Sequence, residues 1–154
     1  MVEVGDTAPD AAFDLSDGKQ SRASDWLGRK LVVYFYPKDD TPGCTKEAQG
    51  FTELAGDFAA ADTVVIGISK DSVASHAKFA GKYGLQVLLG SDGDGSVCDA
   101  FGVWVEKSMY GKTYMGIERA TFLIGADGKI ARIWRKVKVP GHAADVLAAA
   151  QAGA

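Results

Sequence analysis

The chain has 154 residues, 47% of them hydrophobic and 24% charged, which suits one domain over 1–154 with its own core and excludes a disordered chain. Seventeen basic residues against twenty acidic ones leave a formal charge of -3 with no basic run, which argues against a nucleic-acid-binding surface. The longest wholly apolar run, Leu31 to Tyr36, is far below the ~20 residues of a membrane helix, and Met1 to Asp6 lack the features of a secretion signal, so the expected setting is the cytoplasm.

In chain order, Ala12-Phe13-Asp14-Leu15 followed by Ser16-Asp17-Gly18 predicts a short N-terminal hairpin. Leu31-Val32-Val33-Tyr34-Phe35-Tyr36 reads as a strand buried on both faces. Cys44, Ala48, Phe51, Leu54, Ala55 and Phe58 then share one face of a helix. Thr63 to Ile68 reads as a second buried strand, so strand, helix and strand form a right-handed crossover unit. A helix is predicted around Asp71 to Tyr83 and a short one over Ser96 to Phe101. Strands Ala120–Ile124 and Lys129–Trp134 flank the turn signal Asp127-Gly128. An alanine-rich helix starts near Pro140 and Gly141. The order β-α-β-α-β-β-α predicts a thioredoxin-like α/β domain, with a central mixed sheet flanked by helices and an N-terminal hairpin extension.

The two cysteines, Cys44 and Cys98, lie 54 positions apart and form neither a C-x-x-C pair nor a metal-type cluster. On count alone they read as two inert buried thiols. The surroundings of Cys44 speak against that. By capping rules Thr41 is an N-cap and Pro42 the first helical residue, which places Cys44 at the third position of the first turn, just after a buried strand. Helix starts carry unpaired N–H groups and a partial positive charge, and a thiolate is an anion that they favour. Capping chemistry accounts for Thr41, Pro42 and Gly43 singly, but it requires no cysteine at that position.

The run Tyr36-Pro37-Lys38 through Cys44-Thr45-Lys46-Glu47 resembles the peroxidatic motif of peroxiredoxins, and most closely their Q type, the bacterioferritin comigratory proteins. The likeness continues through Phe101 to Lys107, Tyr110-Gly111-Lys112, Gly116 to Ile124, Val4 to Asp10 and Val137 to His142, so it covers nearly the whole chain. The resemblance implies a thiol peroxidase that reduces hydrogen peroxide and organic hydroperoxides through a Cys44 sulfenic acid. It implies that the Thr41 hydroxyl holds the peroxide, that Arg119 stabilises the thiolate and binds the peroxide, and that the Gly43 and Cys44 amides add donors. It also implies that Pro37 shields the sulfur. Glu47, one turn beyond Cys44, either orients Arg119 or is a solvated helix charge.

Many Q-type members carry a second thiol five residues after the first, and here that position is Gln49. The Cys98 segment looks like the variant whose resolving cysteine sits on the next exposed helix. This implies an intramolecular Cys44–Cys98 disulfide, reduced by thioredoxin or a similar dithiol. A disulfide needs Cα atoms within about 7 Å, so both segments are expected to unwind to meet. Two alternatives stay open: a one-cysteine peroxidase resolved by an external thiol, and a non-enzymatic redox sensor. The resemblance further implies a monomer without metal or cofactor. Asp92-Gly93-Asp94-Gly95 reads as a turn, and neither His76 nor His142 is assigned any chemistry.

Overall fold

The computed structural model describes residues 2–153. Its main sheet is built around β3 (Lys30–Phe35), the run whose apolar side chains alternate between two faces. Parallel to β3 lies β4 (Thr63–Ser69), and parallel to β4 lies β5 (Leu88–Ser91). On the other side of β3, β8 (Ala120–Ile124) runs antiparallel and pairs with β9 (Ile130–Trp134). The N-terminal hairpin, β1 (Phe13–Leu15) and β2 (Gln20–Ser21), adds antiparallel to β5, giving the order β2-β1-β5-β4-β3-β8-β9. The sheet is therefore mixed, as the sequence predicts.

Alternation along β3 divides the core. Val32, Tyr34 and Tyr36 face a layer that contains Cys44, Ala48 and Phe51 of α1 (Pro42–Glu53), Phe58 of α2 (Ala55–Ala60), Phe79 of α3 (Val73–Tyr83) and Val146 of α5 (His142–Gln151). Leu31, Val33 and Phe35 face the other layer, with Phe13, Phe122 and Val97, Cys98 and Phe101 of α4 (Ser96–Phe101). The Tyr34 ring stacks on Phe51 at 4.7 Å between centroids and also crosses Gly67 of β4. A Cβ at position 67 would lie 2.5 Å from that ring, so any larger residue would force the ring to shift.

Three features depart from the predicted order. The helix expected to run through Phe58 breaks at Leu54, whose N–H turns back to the Phe51 carbonyl and separates α1 from α2. The short strand β5 was not expected, because four residues containing Gly90 carry little strand signal, and its pairing with β1 and β4 defines it. A separate hairpin, β6 (Trp104–Met109) and β7 (Lys112–Ile117), was also not expected. Its charged and polar residues hide the alternation, and its turn rests on Tyr110 and Gly111, both left-handed (φ 52° and 77°) as a two-residue hairpin turn requires. Among the described residues no helix is long and apolar enough to cross a membrane.

Candidate active site

The end of β3 and the start of α1 create the site. Thr41 takes the N-cap position with extended backbone, Pro42 opens the helix, and the first helical bond runs from the Thr45 N–H to the Thr41 carbonyl at 2.8 Å. The amides of Gly43 and Cys44 precede that bond and have no carbonyl one turn back to donate to, so they remain donors at the helix start. Cys44 is only 2% exposed, on the face of α1 that the apolar periodicity predicts. The predicted capping role of Thr41 needs correction. Its hydroxyl makes no cap bond but donates to the Lys38 carbonyl at 2.8 Å. With its proton engaged there, Thr41 Oγ1 keeps its lone pairs to accept a donor.

Arg119 arrives by sheet topology. Antiparallel pairing sets Ala120, the first residue of β8, opposite Phe35, the last of β3. Arg119 therefore emerges at the same sheet edge as Cys44, although 75 positions separate the two in the chain. Its Nη2 donates to Cys44 Sγ at 3.4 Å and its Nη1 donates to Glu47 Oε1 at 2.6 Å. A Cβ at Gly43 would lie 3.3 Å from Nη2, so glycine there lets the guanidinium close over the helix start.

Electrostatics follow from burial. The Glu47 carboxyl is 2% exposed, and desolvation pushes its pKa up to about 7 although Arg119 pulls the other way. Its second oxygen, Oε2, is buried with no hydrogen-bond partner among the described residues. Burial works against the Arg119 cation, but Glu47 and Cys44 outweigh it and hold the guanidinium charged. Glu47 is thus buried and paired with Arg119 rather than facing solvent. Lys107 of β6 was not singled out from the sequence. Burial first and then the nearby Arg119 charge hold its ammonium below the ordinary lysine range, while Cys44 acts in the opposite sense.

Pro37 follows β3 at the exposed start of the loop that leads to Thr41. The predicted site residues Thr41, Gly43, Cys44, Glu47 and Arg119 thus gather at one sheet edge. Cys98 does not join them. It is fully buried, in the layer on the opposite face of the sheet from Cys44, and both cysteines are free. It lies on α4, whose Ser96, Asp99 and Ala100 are exposed while Cys98 itself faces the core. Burial pushes the Cys98 thiol well up, and the Asp92 carboxylate adds to this. The turn at Asp92 proves to be a helix anchor: the carboxylate accepts the Val97 and Cys98 N–H groups at 3.0 and 2.8 Å.

Another residue that sequence reasoning left without a role, His76, is buried against Asp39, and its ligand-type atoms lie within 4.8 Å of those of Asp39 and Asp71. All three side chains are engaged in hydrogen bonds within the protein.

Known proteins resemble this chain over most of its length. The profile of the AhpC/TSA family matches residues 4–133. Peroxiredoxin Bcp of Xanthomonas campestris pv. campestris is 50% identical over 150 residues, covering 95% of this chain and 94% of its own. Peroxiredoxin Bcp of Bacillus subtilis is 47% identical over 146 residues, covering 95% and 93%. Among solved structures, Xanthomonas campestris peroxiredoxin Q superposes with a TM-score of 0.91 at 47% identity, covering 99% of this chain and 96% of that one. The chain belongs to the AhpC/TSA family and, within it, to the peroxiredoxin Q or Bcp group of thiol peroxidases.

Proposed function

We propose that Cys44 is the peroxidatic nucleophile of a single-domain enzyme spanning 1–154, with Thr41, Arg119 and the Gly43 and Cys44 amides as its peroxide-binding groups. The observation that carries this reading is the guanidinium of Arg119, bonded at once to Cys44 Sγ at 3.4 Å and to Glu47 at 2.6 Å. The thiolate attacks one peroxide oxygen. An S–O bond forms, the O–O bond breaks, and the departing oxygen takes up a proton as water or an alcohol. Cys44 is left as a sulfenic acid, oxidised by two electrons. Charge developing on the departing oxygen meets donors already in place, the guanidinium and the helix-start amides. Thr41 Oγ1 accepts the peroxide O–H, and Pro37 borders the entry. Glu47 acts through Arg119.

Peroxiredoxins take peroxides as substrates and thiols as reductants. For the substrate we assign hydrogen peroxide and organic hydroperoxides. The Xanthomonas campestris bacterioferritin comigratory protein, 47% identical with a TM-score of 0.91, has alkyl peroxide reduction activity, which supports the second class. Thioredoxin or a similar dithiol is the proposed donor, acting on a monomer in the cytoplasm.

Two routes complete the cycle. In the first, the start of α1 and all of α4 unwind and Cys98 attacks the sulfenic sulfur, releasing water and forming the Cys44–Cys98 disulfide. The shortness of α4, six residues between left-handed Gly95 and Gly102, supports this route. In the second, an external thiol attacks directly. The full burial of Cys98 on the opposite face of the sheet favours this route.

Stopped-flow oxidation and thioredoxin-coupled turnover test the reading. Cys44→Ser should abolish both. Arg119→Met should slow Cys44 oxidation by about 10²–10³-fold, the range for losing one preorganised donor. A variant lacking Arg119 that reacts at the wild-type rate would refute the assigned site. Loss of turnover in Cys98→Ser, with single oxidation intact, selects the first route, and undiminished turnover selects the second. A protein that reacts once per reduction and never cycles would be the redox sensor instead.

A further inference from the structure

The loop from Tyr36 to Thr41 carries Pro37 and Thr41, and α3 grips it from the side. The Asp39 carboxylate is 8% exposed and meets three donors: the Tyr36 hydroxyl at 2.6 Å, the Ser75 hydroxyl at 2.8 Å and His76 Nδ1 at 2.8 Å. His76 is 0% exposed, and its Nε2 reaches the Gly90 carbonyl of β5 at 3.0 Å. The backbone is held as well. The Asp39 N–H donates to Asp71 Oδ2 at 2.9 Å. The carbonyl of that same peptide unit, on Lys38, accepts the Thr41 hydroxyl at 2.8 Å. One rigid amide plane thus joins the cluster of buried Asp39 and His76 with half-buried Asp71 to the hydroxyl that faces the peroxide. Just beyond it, Asp40 sits in the left-handed region (φ 56°) and pairs with Lys82 Nζ at 2.7 Å, a second tie to α3.

We propose that Asp39 and His76 are positioning residues of the peroxidase: by latching the loop onto α3 and β5 they orient the Lys38–Asp39 peptide unit and, through it, the Thr41 hydroxyl. A buried carboxylate–imidazole pair is a costly way to hold a loop, since apolar groups of similar volume are often at least as stabilising. What it adds is direction, because each hydrogen bond fixes an angle as well as a distance. Burial pushes the Asp39 carboxyl up, but its bonds from His76 and Tyr36 outweigh this and keep it below the ordinary aspartate range, consistent with a charged anchor.

This inference rests on the Cys44–Thr41 reading above, and one measurement separates the two. Oxidation of Cys44 by hydrogen peroxide needs Thr41 in place, whereas alkylation by iodoacetamide needs only a reachable thiolate. The ratio of the two second-order rate constants isolates positioning. Asp39→Asn should lower that ratio about tenfold and Ser75→Ala, a milder cut at the same carboxylate, about twofold to threefold, in keeping with the cost of sub-ångström misplacement. A ratio unchanged in both variants, or peroxide and iodoacetamide rates falling together, overturns the latch. Should Asp39→Asn fail to fold, Ser75→Ala decides alone. A wild-type ratio no higher than that of a free thiol would instead overturn the site reading itself.

Discussion

Glu47 is where burial and charge oppose each other most directly in the site. Its carboxyl is pushed to about 7 by desolvation, against the pull of Arg119. Above that pH the carboxylate grips Arg119, and below it the acid is neutral and the grip weakens. We expect the peroxide rate constant, normalised to thiolate absorbance, to fall as pH drops through about 7. In Glu47→Gln that limb should vanish and the high-pH rate should drop severalfold, as measured by stopped-flow across pH 5.5–8.5. Thr41, Cys44 and Arg119 could be singled out in the sequence because they fall in stretches that resemble a known motif, while the bond from Arg119 to the sulfur appears only in the fold. Glu47 was ambiguous because a helix spacing does not state whether a carboxylate meets water or an arginine 72 positions away. Asp39 and His76 were invisible for the same reason: 37 positions separate them, and neither lies beside a nucleophile in the chain.

At the level of elements, the buried strands and the helix that carries Cys44 are legible because their apolar patterns match their periods. The break at Leu54, strand β5 and hairpin β6–β7 are not, since each depends on partners distant in sequence. The Tyr34–Gly67 contact shows how tightly β3, β4 and α1 are fitted. Gly67→Ala would set a methyl 2.5 Å from the Tyr34 ring, which stacks on Phe51 of α1. We expect a loss of about 2 kcal/mol in urea unfolding, from overpacking, partly recovered in the double variant with Tyr34→Leu. Helix α4 bears on the catalytic cycle. The spacing of two cysteines says nothing of which sheet face each helix covers, so the sequence could offer Cys98 as a partner for Cys44 without showing that it lies on the opposite face.

For the whole molecule, two buried groups should tilt stability against pH in opposite senses. Glu47 has its folded pKa raised from 4.5 to about 7, so its contribution is full at low pH and is lost as pH rises through that window. His142 is 5% exposed, and burial lowers its pKa from 6.5 to about 4, so its contribution is full above 6.5 and is lost as pH falls. Over their common range the two trends offset each other. Glu47→Gln should therefore leave a protein that loses on the order of 2 kcal/mol on acidification toward pH 4, and His142→Asn one that loses a similar amount as pH rises toward 7. Parallel pH profiles in both variants, from urea midpoints, would contradict this. The sequence by itself determined the α/β class and the helix start under Cys44, because periodicity and capping are local properties, and its resemblance to a known motif implied the peroxidase chemistry. Only the tertiary structure decided that Arg119 meets the sulfur, that Cys98 is walled off from it, and that the Thr41 loop is held by a buried aspartate–histidine pair. Strand pairing and burial bring together residues that chain order keeps apart.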